Sequence, residues 1–403
     1  MEKHLQRQNI DPITLFELIM EKRFDKLTKI TLQWCLFITI NLFFIAKYVP
    51  RAGLNPWICC IGYTIVSTML FYSYCKVAHH IKEKIAKIGV YVGVGCLIIC
   101  ILATLYFIDP YTINVDRWSA TTFFLDGLFH GKYPYGIHTH VSEGNYPSPF
   151  PFWHYLHIPF WLLGDVGFEL IFFLLLSIYA LQCYTKSYKA TLSFLLLLLL
   201  SPSYWWEIVT RSDGLSNALL IISVILLVEH YHITINDHFW LVAVIVGCLA
   251  ATRLSAWIPL ALYLFYPYIK SNWKIWVGLP LVVFGILFLF FTPYIFWDTT
   301  TWVFFSRNPF MSQTSPGNIW ILFCMVLIAM IIATRKKSLY DYMQTTGLFL
   351  FAFMLTTDLG VLYHSPTATI LDNVCDISYF TLSLPYCICS LCLPFSHQFT
   401  THE

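Results

Sequence analysis

Charge is what this chain is short of. Lys, Arg, Asp and Glu supply 11% of its 403 residues, against roughly 25% in a soluble globular domain. A surface wetted on all sides is excluded, and 58% hydrophobic residues with a mean hydropathy of +0.66 point to a polytopic membrane protein. Basic tracts and nucleic-acid modules are absent and the net charge is only +2, which sets nucleic acid aside as a partner. No P-loop, Ser-His-Asp order or dinucleotide fingerprint stands in a supporting context. The first apolar run follows a charged segment reaching about Lys26 and has no small-residue cleavage site after it, so it is expected to be an anchor.

Cysteine is present, 13 times, but almost always inside apolar segments, where it behaves as a small hydrophobe. Only Cys375 falls in an outer loop, so a disulfide framework is not expected. Cys387, Cys389 and Cys392 do not share one helix face, which favours packing over a metal site.

At about 20 apolar residues per span, the chain reads as an all-α fold of about twelve transmembrane helices. Their ranges are 28–48, 55–76, 88–108, 158–182, 190–206, 214–230, 238–252, 254–269, 274–296, 317–334, 344–363 and 377–396. The pair 238–252 and 254–269 reads equally as one re-entrant hairpin. Five basic clusters then fall on one side: Arg23, Lys26 and Lys29; Lys76, Lys82, Lys84 and Lys87; Lys186 and Lys189; Lys270 and Lys274; Arg335, Lys336 and Lys337. By the positive-inside rule that side, with both termini, is cytoplasmic.

The opposite face receives a long polar interruption. Residues 109–151 open with Asp109, Asp116, Arg117 and Trp118, run to Gly131, Lys132, Tyr133, Pro134 and Tyr135, and close on Tyr146, Pro147, Pro149 and Pro151. Trp118, Phe123, Phe124, Leu125, Leu128 and Phe129 give an apolar face and predict a short juxtamembrane helix ending near Gly131. Asp116 at its start is either a dipole-stabilising end residue or a functional acid. Asp109, just before Pro110, is equally a helix stop.

The outer face also receives Arg211 with Asp213, Arg253, Arg307, Asp372 and Asp376. A carboxylate facing several guanidinium groups suits a site that must hold a base and a phosphate leaving group together. Arg211 and Asp213 read as a local ion pair capping the segment from Gly214, or as substrate ligands. Arg253 lies within the apolar stretch 242–264 and needs an anionic partner, either a carboxylate such as Asp213 or Asp372 or a lipid phosphate. Arg307 sits in an outer turn as a further phosphate candidate. His130, His138, His140, His154 and His157 lack a Cys or carboxylate neighbour at metal-ligand spacing. Tyr133, Tyr135, Tyr146, Trp153, Trp161, Trp205 and Trp206 are expected in the interfacial aromatic belt, with sugar stacking open to one or two.

Asp116-Arg117-Trp118, then Asp126-Gly127-Leu128 and Gly131-Lys132-Tyr133-Pro134-Tyr135, resemble the first outer loop of GT-C-type membrane glycosyltransferases. The likeness is to those that use polyprenol-phosphate-mannose. The chain departs from that pattern in having Arg directly after Asp116, Trp118 where Tyr is usual, and Lys132-Tyr133 before Pro-Tyr. Asn145-Tyr146-Pro147-Ser148-Pro149 is similar to the family's opening of the next span, and Arg211-Ser212-Asp213-Gly214 stands at a polar outer turn. The resemblance covers about residues 90–330, which leaves 1–87 as a cytoplasmic segment with two added helices and 88–403 as the core.

The resemblance implies a membrane glycosyltransferase with a lipid-linked sugar donor, a glycan or lipid acceptor, an acidic base (Asp116, then Asp109), and inversion at the anomeric carbon. Arg117, Arg211, Asp213, Arg253, Arg307 and Tyr135 would bind substrate. Some such enzymes use a divalent cation at the acid, which leaves that cofactor open. Two rival functions are a transporter or flippase of lipid-linked glycans and a non-catalytic subunit of a glycan-assembly complex. A transporter should show internal repeats and ionisable residues at helix centres, and neither is evident.

Overall fold

The computed structural model describes residues 12–78, 80–314, 318–365 and 367–396, with side chains from residue 27 onward. Among these residues every regular element is helical. The order is α1 (Pro12–Tyr48), α2 (Pro56–Ala78), α3 (Glu83–Phe107), α4 (Arg117–Phe129), α5 (Pro151–Leu162) and α6 (Glu169–Thr185). There follow α7 (Tyr188–Leu199), α8 (Pro202–Thr210), α9 (Gly214–His230), α10 (Phe239–Ala250), α11 (Trp257–Ile269) and α12 (Trp273–Ile295). The chain ends with α13 (Val303–Ser306), α14 (Pro309–Thr314), α15 (Ile319–Ala333), α16 (Leu339–His364) and α17 (Leu384–Cys392).

The described residues hold seven helical stretches long and apolar enough to cross a membrane, and nine if two bent pairs each count as one span. The twelve spans read from the sequence are not confirmed. The difference lies in α9, α10 and α11, of 17, 12 and 13 residues, which are strongly apolar yet short. Twelve residues of helix reach only about 18 Å, against a hydrocarbon core of about 30 Å. Nor do α10 and α11 form a tight hairpin: α10 lies along α12, and α11 along α15.

The core is built around α17, every residue of which is buried, with α1, α7, α9 and α16 packed about it. Helix α16 comes closest at Gly347, where a Cβ would stand 3.3 Å from the Cys387 backbone nitrogen. The cysteine triplet is therefore packed in protein, and Cys387 Sγ donates to the Gln33 carbonyl at 3.0 Å. Of the two N-terminal helices read as an addition, α1 belongs to this core, whereas α2 buries only Ser67 and Ala78.

Pro202 breaks the span between α7 and α8, which bend by 71°. Proline there cannot donate a backbone hydrogen bond, and Ser201 caps the new helix by accepting from the Tyr204 N–H. The break is closed from α1. Asn41 Oδ1 accepts from Ser201 Oγ (2.7 Å), Ser203 Oγ (2.9 Å) and the Ser203 N–H (3.1 Å), while Asn41 Nδ2 donates to the Phe37 carbonyl.

Polar contacts gather at two ends of the bundle. Lys29 pairs with Asp341 at 3.3 Å, and Glu83 accepts from Ser187 Oγ (3.0 Å) and the Tyr188 N–H (2.8 Å). These residues flank the basic loops. At the other end, Lys47 Nζ donates to the Asp372 and Cys375 carbonyls, beside the outer-loop residues described below. The basic clusters at Arg23 and Lys26 lie outside the described side chains, as do the two chain ends.

Asn41→Leu keeps the volume but removes the acceptor shared by the α7–α8 break. We expect a loss of about 1–3 kcal/mol, read as a lower thermal midpoint in detergent. Cys35→Leu, on the exposed side of α1, should leave the midpoint unchanged.

Candidate functional site

Helix α4 starts and ends where the sequence places it, with Gly131 in the left-handed region at φ +68°. It is embedded rather than lying free: Trp118, Ser119, Ala120, Thr121, Phe124, Leu125 and Gly127 are buried. Trp161 Nε1 donates to Asp126 at 2.8 Å and the Trp161 ring stacks on Phe129, which fixes α4 against α5.

Three arginines organise this end. Arg211 closes α8 in a left-handed conformation (φ +50°), which turns its side chain away from Asp213. Its Nη1 pairs with Asp165 at 2.8 Å, and its Nη2 donates to the Leu105 and Ile108 carbonyls at the end of α3, groups that a helix terminus leaves unbonded. The expected Arg211–Asp213 pair does not form. Asp165, unremarked in the sequence, also accepts from Trp118 Nε1 (3.1 Å) and the Gly167 N–H (2.8 Å). Gly167 is closely surrounded, and a Cβ there would displace the Leu105 side chain, 2.6 Å away, and crowd Arg211 at 3.1 Å.

Arg253 occupies the extended break between α10 and α11 and donates to both oxygens of Asp213, with both side chains about 95% buried. Its anionic partner is thus one of the two carboxylates the sequence offered. Asp213 also accepts from Trp153 Nε1 at 2.6 Å. Burial alone would raise the Asp213 carboxyl above its ordinary 3.8, but the Arg253 guanidinium outweighs it and holds the group down at about 2. The break is stitched to its neighbours: the Phe150 N–H donates to the Thr252 carbonyl (2.9 Å), the Leu254 N–H to Gln313 Oε1 (2.8 Å), and Gln313 Nε2 to the Ser148 carbonyl (2.6 Å).

Arg117 reaches Asp376 at 2.8 Å and Ser378 Oγ at 3.1 Å, with its guanidinium 4.8 Å from the Tyr379 ring centre. Between these anchors lies a cavity of about 430 Å³. Asp116, Arg117, Tyr135, Asn145, Tyr146, Arg253, Arg307, Asp376 and Tyr379 are in its wall.

Asp116 is half-buried, and its Oδ2 accepts from Asn145 Nδ2 at 2.9 Å. Its other oxygen takes no bond from a described residue. Arg307 is exposed, lies 4.0 Å over the Tyr146 ring and has no carboxylate partner among the described residues. The buried Tyr135 donates its hydroxyl to the Pro149 carbonyl (3.1 Å), and its ring packs among Phe124, His154 and Tyr294. Tyr135 and Trp153 therefore belong to the protein interior and not to an interfacial belt.

Three expected residues fall outside the wall, Asp213 among them, since it lies behind Arg253 as its partner. Arg211 serves the α3–α8 junction, and Asp109 accepts from the Tyr111 N–H (3.0 Å), capping the single turn Pro110–Thr112. Asn145, noted in the sequence only within the stretch that opens the next span, enters the site as the partner of Asp116. The histidines have separate contacts: His140 sits between Ser119 Oγ and the Ile113 carbonyl, His154 stacks on Phe124, and His157 lies 3.3 Å from Glu169. Among the described residues no three His, Cys, Asp or Glu side chains converge as a ligand set for a divalent cation.

Compared with models of known families, with curated proteins and with solved structures, the chain matches none.

Asp213→Asn leaves Arg253 buried against a neutral amide. The expected cost is about 3–5 kcal/mol, seen as a lowered thermal midpoint. A carboxyl depressed in the folded state stabilises it above the ordinary value and loses that contribution as pH falls toward the depressed one. The stability gap between wild type and Asp213→Asn should therefore be full above about pH 4 and narrow toward pH 2. A gap that stays constant across that range would exclude the ion pair as its source.

Proposed function

We propose that this chain is a GT-C-type membrane glycosyltransferase. It moves a sugar, with mannose the first candidate, from a polyprenyl-phosphate donor to a hydroxyl of a glycan or lipid acceptor. The observation that carries this reading is the Asp116 cavity, which joins a half-buried carboxylate with one unbonded oxygen to an arginine that lacks a carboxylate partner. The basic loops, read by the positive-inside rule, support a non-cytoplasmic face for that cavity.

Asn145 holds one oxygen of Asp116, and the other takes the proton of the acceptor hydroxyl. The acceptor oxygen bonds to the anomeric carbon from the side opposite the phosphate, so configuration inverts. The sugar–phosphate C–O bond breaks with its electron pair leaving on the lipid phosphate. Arg307 meets that charge, because Arg117 and Arg253 are already engaged by Asp376 and Asp213. Those two arginines fix the wall and add a positive field.

The test is turnover of purified protein against a panel of polyprenyl-phosphate sugars. Asp116→Asn should stay folded and lower kcat by roughly two to four orders of magnitude, the usual general-base contribution. Arg307→Gln should raise the donor KM as well. Unchanged turnover in Asp116→Asn would remove the carboxylate mechanism.

A further inference from the structure

A second cavity, also of about 430 Å³, lies at the opposite end of α9 from Asp213. Its body is apolar, walled by Val224 and Val228 of α9, Val242 to Leu249 of α10, and Leu260 and Leu264 of α11. It exists because α10 and α11 pack on different neighbours and leave a slot between them. The stretch from Val242 to Leu249 runs about 10 Å along α10, and the volume lies within the roughly 300–1,000 Å³ of small-molecule sites.

The lining changes character at the α15–α16 connection. Arg335, Lys336 and Lys337 contribute there, together with His232 and Glu229. Glu229 is committed inward, accepting from the Tyr263 hydroxyl at 2.7 Å. Lys337 Nζ donates to the Ile332 carbonyl at 2.6 Å, while Arg335 and Lys336 are exposed and have no carboxylate partner among the described residues. Three consecutive cations at the mouth of an apolar slot match a molecule with a phosphate at one end and hydrocarbon at the other.

We propose that this cavity binds one anionic membrane phospholipid, its phosphate on Arg335 and Lys336 and an acyl chain in the slot between α9, α10 and α11. The site is separate from the Asp116 cavity. Its occupant is distinguished from a free phosphate by the apolar body, which an inorganic ion would leave empty, and from a neutral lipid by the cationic mouth.

Native mass spectrometry of the full chain in detergent, titrated with phosphatidylglycerol, phosphatidylcholine or inorganic phosphate, tests it. One phosphatidylglycerol should be retained with clear preference over phosphatidylcholine, and phosphate should not compete for it. Replacing all three cations (Arg335→Gln, Lys336→Gln and Lys337→Gln) should weaken retention about a hundredfold. Val246→Trp, which fills the slot and leaves the cations, should also abolish it. Equal retention of both lipids, displacement by inorganic phosphate, or undiminished binding in either variant would overturn the assignment. Sugar transfer by the same variants reads the Asp116 reaction separately.

Discussion

A helix that breaks inside an apolar bundle exposes backbone groups that lipid cannot satisfy, so the protein must satisfy them itself. That constraint shapes this molecule. Asn41 closes the α7–α8 break, Arg211 takes the free carbonyls of α3, and Gln313 joins the α10–α11 break to the end of the outer loop. At the start of α9, Glu207 accepts from the Leu215 N–H and from Thr381 Oγ. Thr381 belongs to the two-turn segment Ile377–Leu382, which Asp376 precedes, and Asp376 in turn holds Arg117. Repairing the broken backbone and placing the side chains around the Asp116 cavity are thus one network.

The network leaves an uneven distribution of charge. Arg211, Arg253 and Arg117 each meet a carboxylate, and Arg253 does so where an unpaired guanidinium would cost most. Arg307 does not. An acid with a free oxygen therefore shares a wall with one uncommitted cation, while the remaining charges hold the wall in place. The proposed sugar transfer, which removes a proton at one point and releases an anion at another, would use such an arrangement as electrostatic preorganisation.

What could be read from the sequence follows the range of each interaction. The short helix after Asp116 was legible because its apolar face and Gly131 are local signals. So was the need of Arg253 for an anion, since apolar surroundings impose that cost wherever the partner lies. The partner of Arg211 was not legible. Proximity suggested Asp213, but the left-handed turn at Arg211 sends its side chain to Asp165, 46 residues earlier. Asn145 was missed because an Asn in a turn has many local uses. Apolar runs alone also left the number of spans open: α10 and α11 are as hydrophobic as full spans, and composition does not tell their length.

The most direct measurement is an experimental structure with a non-transferable polyprenyl-phosphate sugar bound. The phosphate should lie within hydrogen-bond reach of the Arg307 guanidinium, with the anomeric carbon facing the unbonded oxygen of Asp116. A donor phosphate seated only at the Arg335–Lys337 end, with the Asp116 cavity empty, would contradict the assignment of the outer cavity as the place of sugar transfer.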